Sequence, residues 1–227
     1  WNLYSAYWLF PFQLSFGKRG IIETDGSIRI NDESTVAAVE YLLALMDRQI
    51  VVPVERDGMI SQFIQGRTGM ILTGSYSIPA FTDLGIPFAY TVYPLNQESG
   101  EFVSPLIDYK GFAIPRRSRN PIGARRLLQY LSSQQAQADF TFSNFKNPAR
   151  NDVWSLSMLP EHTEWVLRES IARGTIIPPA PAYSIAKDTL WKILRMILGR
   201  QLPVREGLDK AQEIIDNNLS RVQEKGE

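Results

Sequence analysis

The chain has 227 residues, 44% of them hydrophobic, and its 24 Lys+Arg balance 24 Asp+Glu to a formal net charge of +0. That is enough apolar material for one large domain or two small ones, without the standing positive field that draws nucleic acid or an anionic membrane surface. With Cys 0 there is no disulfide framework, thiolate metal site or cysteine nucleophile, an absence that fits an exported protein.

No run of about 18 apolar residues occurs, so no transmembrane helix is predicted. The start, Trp1-Asn2-Leu3-Tyr4, has neither the basic region nor the apolar stretch of a signal peptide, so an export signal is expected upstream. The first strong helix is predicted over 32–48. Asn31 or Asp32 can cap it, and Val36, Val39, Leu42, Leu43 and Met46 recur at the spacing of a buried stripe. A shorter helix over 59–65 ends at Gly66, and the glycine-bounded apolar run 69–73 reads as a buried strand. Gly74-Ser75-Tyr76-Ser77 then opens another helix, with Ser75 and Ser77 as expected caps. Residues 88–93 and 107–114 read as further strands around the turn 96–100. Helical periodicity fills 121–132, 135–142, 161–173, 185–198 and 204–222, with Gly174 and Gly199 as stops. Strands among helices early and helices late predict an α/β body wrapped by its last helices.

Four blocks, in order, resemble the C-terminal half of maltose-type extracellular solute-binding proteins of ABC importers. They are Leu3-Tyr-Ser-Ala-Tyr-Trp-Leu-Phe-Pro11; Phe63-Ile-Gln-Gly-Arg-Thr-Gly-Met-Ile-Leu-Thr-Gly-Ser-Tyr76; Gly111-Phe-Ala-Ile-Pro115 with the Ala124-Arg-Arg-Leu-Leu helix; and Gly199-Arg-Gln-Leu-Pro-Val-Arg-Glu-Gly-Leu208 with Ala211-Gln212. The resemblance implies a periplasmic-binding-protein-like α/β fold (Venus flytrap, type II), in which two lobes close on a carbohydrate and present it to a permease. It implies an extracytoplasmic protein, either periplasmic or a cell-surface lipoprotein. On this reading residues 1–107 and 153–227 belong to the C-terminal lobe, 108–152 cross into the N-terminal lobe, and most of that lobe lies upstream.

A sugar ring needs flat aromatics for its C–H faces and hydroxyl or carboxylate groups for its rim. The family's stacking position falls on Tyr7, with Trp8 beside it, and the tryptophan of the strand-to-helix turn falls on Tyr76. Asp108 and Tyr109 on the crossing strand, and Tyr183 in Pro178-Pro-Ala-Pro-Ala-Tyr-Ser, complete the expected ligand-binding set. Phe10, Phe12 and Trp191 are expected in the core, Arg150 in a structural salt bridge, and the single histidine, His162, in solvent.

No G-x-S-x-G elbow, H-E-x-x-H, P-loop or G-x-G-x-x-G is present, so no catalytic residue, metal or cofactor is expected. The alternative is a carboxylate-based glycoside hydrolase pairing Asp108 with Asp83 or Glu101, which would need the two at about 5 to 10 Å. Expected partners are a carbohydrate and ABC permease subunits, with no nucleic acid and no membrane insertion. The apolar side of the 121–132 helix, with Ile122, Leu127, Leu128 and Leu131, predicts that this chain alone dimerises or holds its crossing segment loosely.

Overall fold

A computed structural model describes residues 2–156 and 159–224. In chain order the helices are α1 Ala6–Ser15, α2 Glu33–Asp47, α3 Arg56–Ile64, α4 Ile78–Asp83 after a 3-10 turn at Ser75–Ser77, α5 Pro121–Leu131, α6 Gln134–Asn144, α7 Asn151–Trp154, α8 Glu161–Ala172, α9 Pro181–Leu198 and α10 Val204–Glu224. Two short strands, β1 Leu106–Ile107 and β2 Thr175–Ile176, pair in parallel with Leu106 opposite Thr175 and Ile107 opposite Ile176. Among the described residues no helix is long and apolar enough to cross a membrane.

The chain divides into two compact units. The first holds residues 2–71, 93–108 and 173–224, and the second Leu72–Val92 and Tyr109–Ala172. The segment 108–152 thus falls in the second unit except for Asp108, with 72–92 and 153–172 beside it.

In the first unit the predicted stripes become core. Val36, Val39, Leu42 and Leu43 of α2 are buried, and α9 buries Ala186, Leu190, Ile193, Leu194 and Ile197 against Leu208, Ala211 and Ile215 of α10. The two helices pack closely at Gly207, where a Cβ would come within 2.7 Å of Ile197 Cδ1. Gln212 fastens α10 to an extended segment by accepting from the Ile30 N–H at 2.8 Å and donating to the Ile28 carbonyl at 3.0 Å.

Asp32 caps α2, accepting at 2.8 Å from both the N–H and the hydroxyl of Thr35. It also pairs with the Lys18 ammonium, whose side chain is only 5% exposed and which donates to the Arg29 carbonyl at 2.6 Å. Burial pushes the Asp32 carboxyl up, but the Lys18 and Thr35 hydrogen bonds and the Lys18 charge outweigh it and hold the group below the ordinary carboxylate range. Buried Gln13 on α1 extends this polar chain by donating to Thr35 Oγ1 at 2.7 Å.

In the second unit a run of rings joins α4 to α8. Phe81, Phe88, Tyr90, His162 and Trp165 have successive centroids 5.6, 5.8, 5.4 and 5.8 Å apart. His162 is exposed as expected, yet its ring nitrogen also donates to the Tyr90 carbonyl at 2.6 Å. Arg150 makes the expected salt bridge, to Asp152 at 2.7 Å. Helix α5 has no buried residue, and Ile122 is 70% exposed.

Three local expectations are corrected. The runs 69–73 and 88–93 form no ladder among the described residues, and of 107–114 only Ile107 does. β-Propensity makes a run extended, but a ladder also requires an aligned partner. Trp191 is not core: α9 turns it away from its buried stripe, 43% exposed, with the Arg195 guanidinium 4.4 Å from its ring centre. The Ser77 hydroxyl caps nothing and pairs with Thr73 Oγ1 at 2.8 Å.

Candidate functional site

Helix α1 begins after Ser5 and is apolar almost all round, so most of its length is buried and its first turn carries Tyr7 and Trp8 at half exposure. The Tyr7 hydroxyl donates to the Leu106 carbonyl at 3.2 Å, which ties this turn to β1. Asp108 follows the last residue of β1 and is exposed. Ser104 secures the approach to that strand, donating to the Arg173 carbonyl at 2.7 Å next to β2. On the other side α9 starts at Pro181, a good first helical residue because it has no N–H to leave unsatisfied. Its first turn sets the Tyr183 ring 5.7 Å from that of Phe10.

Tyr7, Asp108 and Tyr183, far apart in sequence, therefore lie together in the first unit. Burial first, then the neighbouring Tyr7 and Asp108, push the Tyr183 phenol up to about 12. It stays neutral and able to donate at any physiological pH. Trp8 stands edge-on to Tyr7 with centroids 5.1 Å apart and planes at 79°. The first unit thus presents aromatic faces, a phenolic donor and a carboxylate acceptor within one neighbourhood. Phe10 and Phe12 are buried, as expected.

Tyr76 and Tyr109 belong to the second unit. Tyr76 sits in the 3-10 turn before α4 and is 41% exposed. Its ring lies against Gly74, where a Cβ would come within 2.3 Å of ring atom Cε1, so only glycine leaves the ring where it is. The Lys146 ammonium stands 5.1 Å from the ring centre. Tyr109, 54% exposed, heads the segment that enters this unit.

Lys146 escaped the sequence reading because nothing local distinguishes it from other loop lysines. Gly74 was expected only in the turn that opens the next helix, and its contact with the Tyr76 ring is seen only in the structure.

Residues 2–153 match the sequence profile described as bacterial extracellular solute-binding protein. No curated protein matches the chain. Among solved structures, the maltose/maltodextrin-binding domain MalE from Bdellovibrio bacteriovorus bound to maltotriose is similar at 20% identity and TM-score 0.83, covering 96% of this chain and 59% of that one. The Thermus thermophilus maltotriose binding protein with maltotriose matches at 16% and 0.82, covering 96% and 60%. MalX from Streptococcus pneumoniae in complex with maltopentaose matches at 16% and 0.83, covering 95% and 59%. This chain shares their fold, and spans about three fifths of their length.

Proposed function

Because this chain belongs to the bacterial extracellular solute-binding proteins, we propose that it is part of the binding component of an ABC importer and takes up a maltodextrin-like oligosaccharide outside the cytoplasm, in a periplasm or as a cell-surface lipoprotein, for delivery to the permease. The observation that carries this reading is the meeting of Tyr7, Asp108 and Tyr183. An aromatic face beside a carboxylate and a neutral phenol suits a pyranose, which has apolar C–H faces and a rim of hydroxyls. The proposed contacts are Tyr7, Trp8, Tyr76, Asp108, Tyr109 and Tyr183.

Calorimetry of the full-length protein with maltotriose is expected to give saturable heat, while chromatography of the mixture shows unchanged sugar. Absence of heat with maltose, maltotriose and maltopentaose would overturn the reading. So would release of reducing sugar at a rate that falls in Asp108→Asn, which favours the hydrolase.

We further propose that residues 1–107 and 153–227 form a C-terminal lobe and that 108–152 cross into another lobe, which covers α5. Supporting this, Ile122 and Leu127 lie in water, and each buried aliphatic side chain is worth about 1.5 to 3 kcal/mol. The 227-residue chain on its own is therefore expected to scatter light as a dimer or to hold its crossing segment loosely, and to bind maltotriose far more weakly than the full-length protein. A monodisperse monomer of micromolar affinity would refute the lobe assignment.

A further inference from the structure

We infer that Lys146 is a ligand-contacting, specificity-determining residue, and that Tyr76 and Lys146 together form one saccharide subsite. The inference rests on the carbohydrate-binding reading above and goes beyond it, because it assigns a donor on a second loop that no residue pattern marked. The ammonium of Lys146 lies 5.1 Å from the centre of the Tyr76 ring, and both residues are exposed. Two backbone features accompany that meeting. On the Tyr76 side, the ring rests on Gly74, whose missing Cβ leaves the space it fills. On the Lys146 side, α6 ends at Phe145 in the left-handed region, φ 50° and ψ 41°, a conformation that a residue with a Cβ adopts only where its surroundings hold it there. The chain turns sharply at this residue, and Lys146 is the next one out.

The chemistry follows from what each group offers. An aromatic face binds the C–H face of a pyranose and has no preference for how the ring is turned in its plane. An ammonium carries three donors and no acceptor. Held over that ring, 5.1 Å from its centre, it yields part of the face to a stacking sugar and favours the orientations that direct hydroxyl oxygens towards it as acceptors. Charge-assisted hydrogen bonds are about twice as strong as neutral ones, so the subsite fixes one rotation of the sugar. It also prefers a unit with its hydroxyls intact over a deoxy analogue. Attraction to the ring holds the ammonium near this position before the ligand arrives, which reduces the ordering required on binding.

The test is maltotriose calorimetry on the full-length protein with Lys146→Met, Lys146→Arg, Tyr76→Ala and the double variant Tyr76→Ala/Lys146→Met, with melting temperatures measured alongside. Lys146→Met is expected to weaken binding by about ten-fold, the loss of one charge-assisted hydrogen bond, with no change in melting. Lys146→Arg should recover most of that loss. The double variant should bind more tightly than the product of the two single effects predicts, since without the ring the ammonium loses its anchor. Wild-type affinity in Lys146→Met alongside a weakened Tyr76→Ala would overturn this inference and leave the parent reading standing. A melting shift in Lys146→Met without an affinity change would assign Lys146 to holding the loop, and also overturns it. If the unaltered protein binds none of maltose, maltotriose and maltopentaose, the parent reading falls and this inference falls with it.

Discussion

Replacing Asp32 by alanine is expected to cost the protein about 3 kcal/mol or more of unfolding free energy, read as a lower midpoint in a urea titration. The Lys18 side chain is 5% exposed, and its partners are Asp32 and the Arg29 carbonyl. Removing the carboxylate leaves a buried ammonium without its counter-charge, a change that typically costs about 3 to 5 kcal/mol. The N-cap of α2 is lost as well, worth about 1 kcal/mol. Asp32→Asn separates the two effects, because its amide oxygen can still accept from Thr35 while the charge is gone. The same pair sets an acid limit. The folded-state carboxyl lies below its ordinary value, so its contribution is present above the unfolded value and lost as pH falls through the folded one. Melting curves from pH 6 down to pH 2 should therefore fall less steeply for Asp32→Asn than for the unaltered protein. Parallel curves would show that the pair contributes nothing.

Tyr76→Ala is expected to weaken maltotriose binding by about 1 to 3 kcal/mol, as for an aromatic anchor, with little change in melting because the ring is 41% exposed. Gly74→Ala offers a stricter test, since it leaves every proposed ligand contact in the sequence. Gly74 has φ −86° and ψ 163°, ordinary extended geometry that alanine also adopts, so the backbone should not be strained. The new methyl would nevertheless lie 2.3 Å from the present position of the Tyr76 ring and must turn it aside. A loss of affinity close to that of Tyr76→Ala, with an unchanged melting temperature, is the expected result. Equal affinities for Gly74→Ala and the unaltered protein would mean that the orientation of this ring does not matter to the ligand.

The sequence by itself determined most of the helices, though not α1 or α7, and the buried faces of α2 and α9. Each helical hydrogen bond joins residues four apart, so Val36, Val39 and Leu42 reveal their helix and its inner face within a few turns. The cap of α2 was legible for the same reason, since Asp32 does accept from Thr35, whereas the cap expected of Ser77 is not made. The solute-binding family was legible too, through four blocks in order, of which the first three lie within the matched residues 2–153. Tertiary structure alone decided which distant residues meet. The pairing of β1 with β2 joins Leu106 to Thr175, and no local pattern selects that partner over another extended run. The convergence of Tyr7, Asp108 and Tyr183 depends on where α1, β1 and α9 pack, and the approach of Lys146 to Tyr76 on where the chain after α6 runs. Trp191 shows the limit from the other side: its hydrophobicity suggested core, but its angle around α9, set by the stripe that packs on α10, turned it outward to Arg195. Local hydrogen bonding repeats with the chain and can be read along it, whereas contacts between elements are fixed only when the elements are packed.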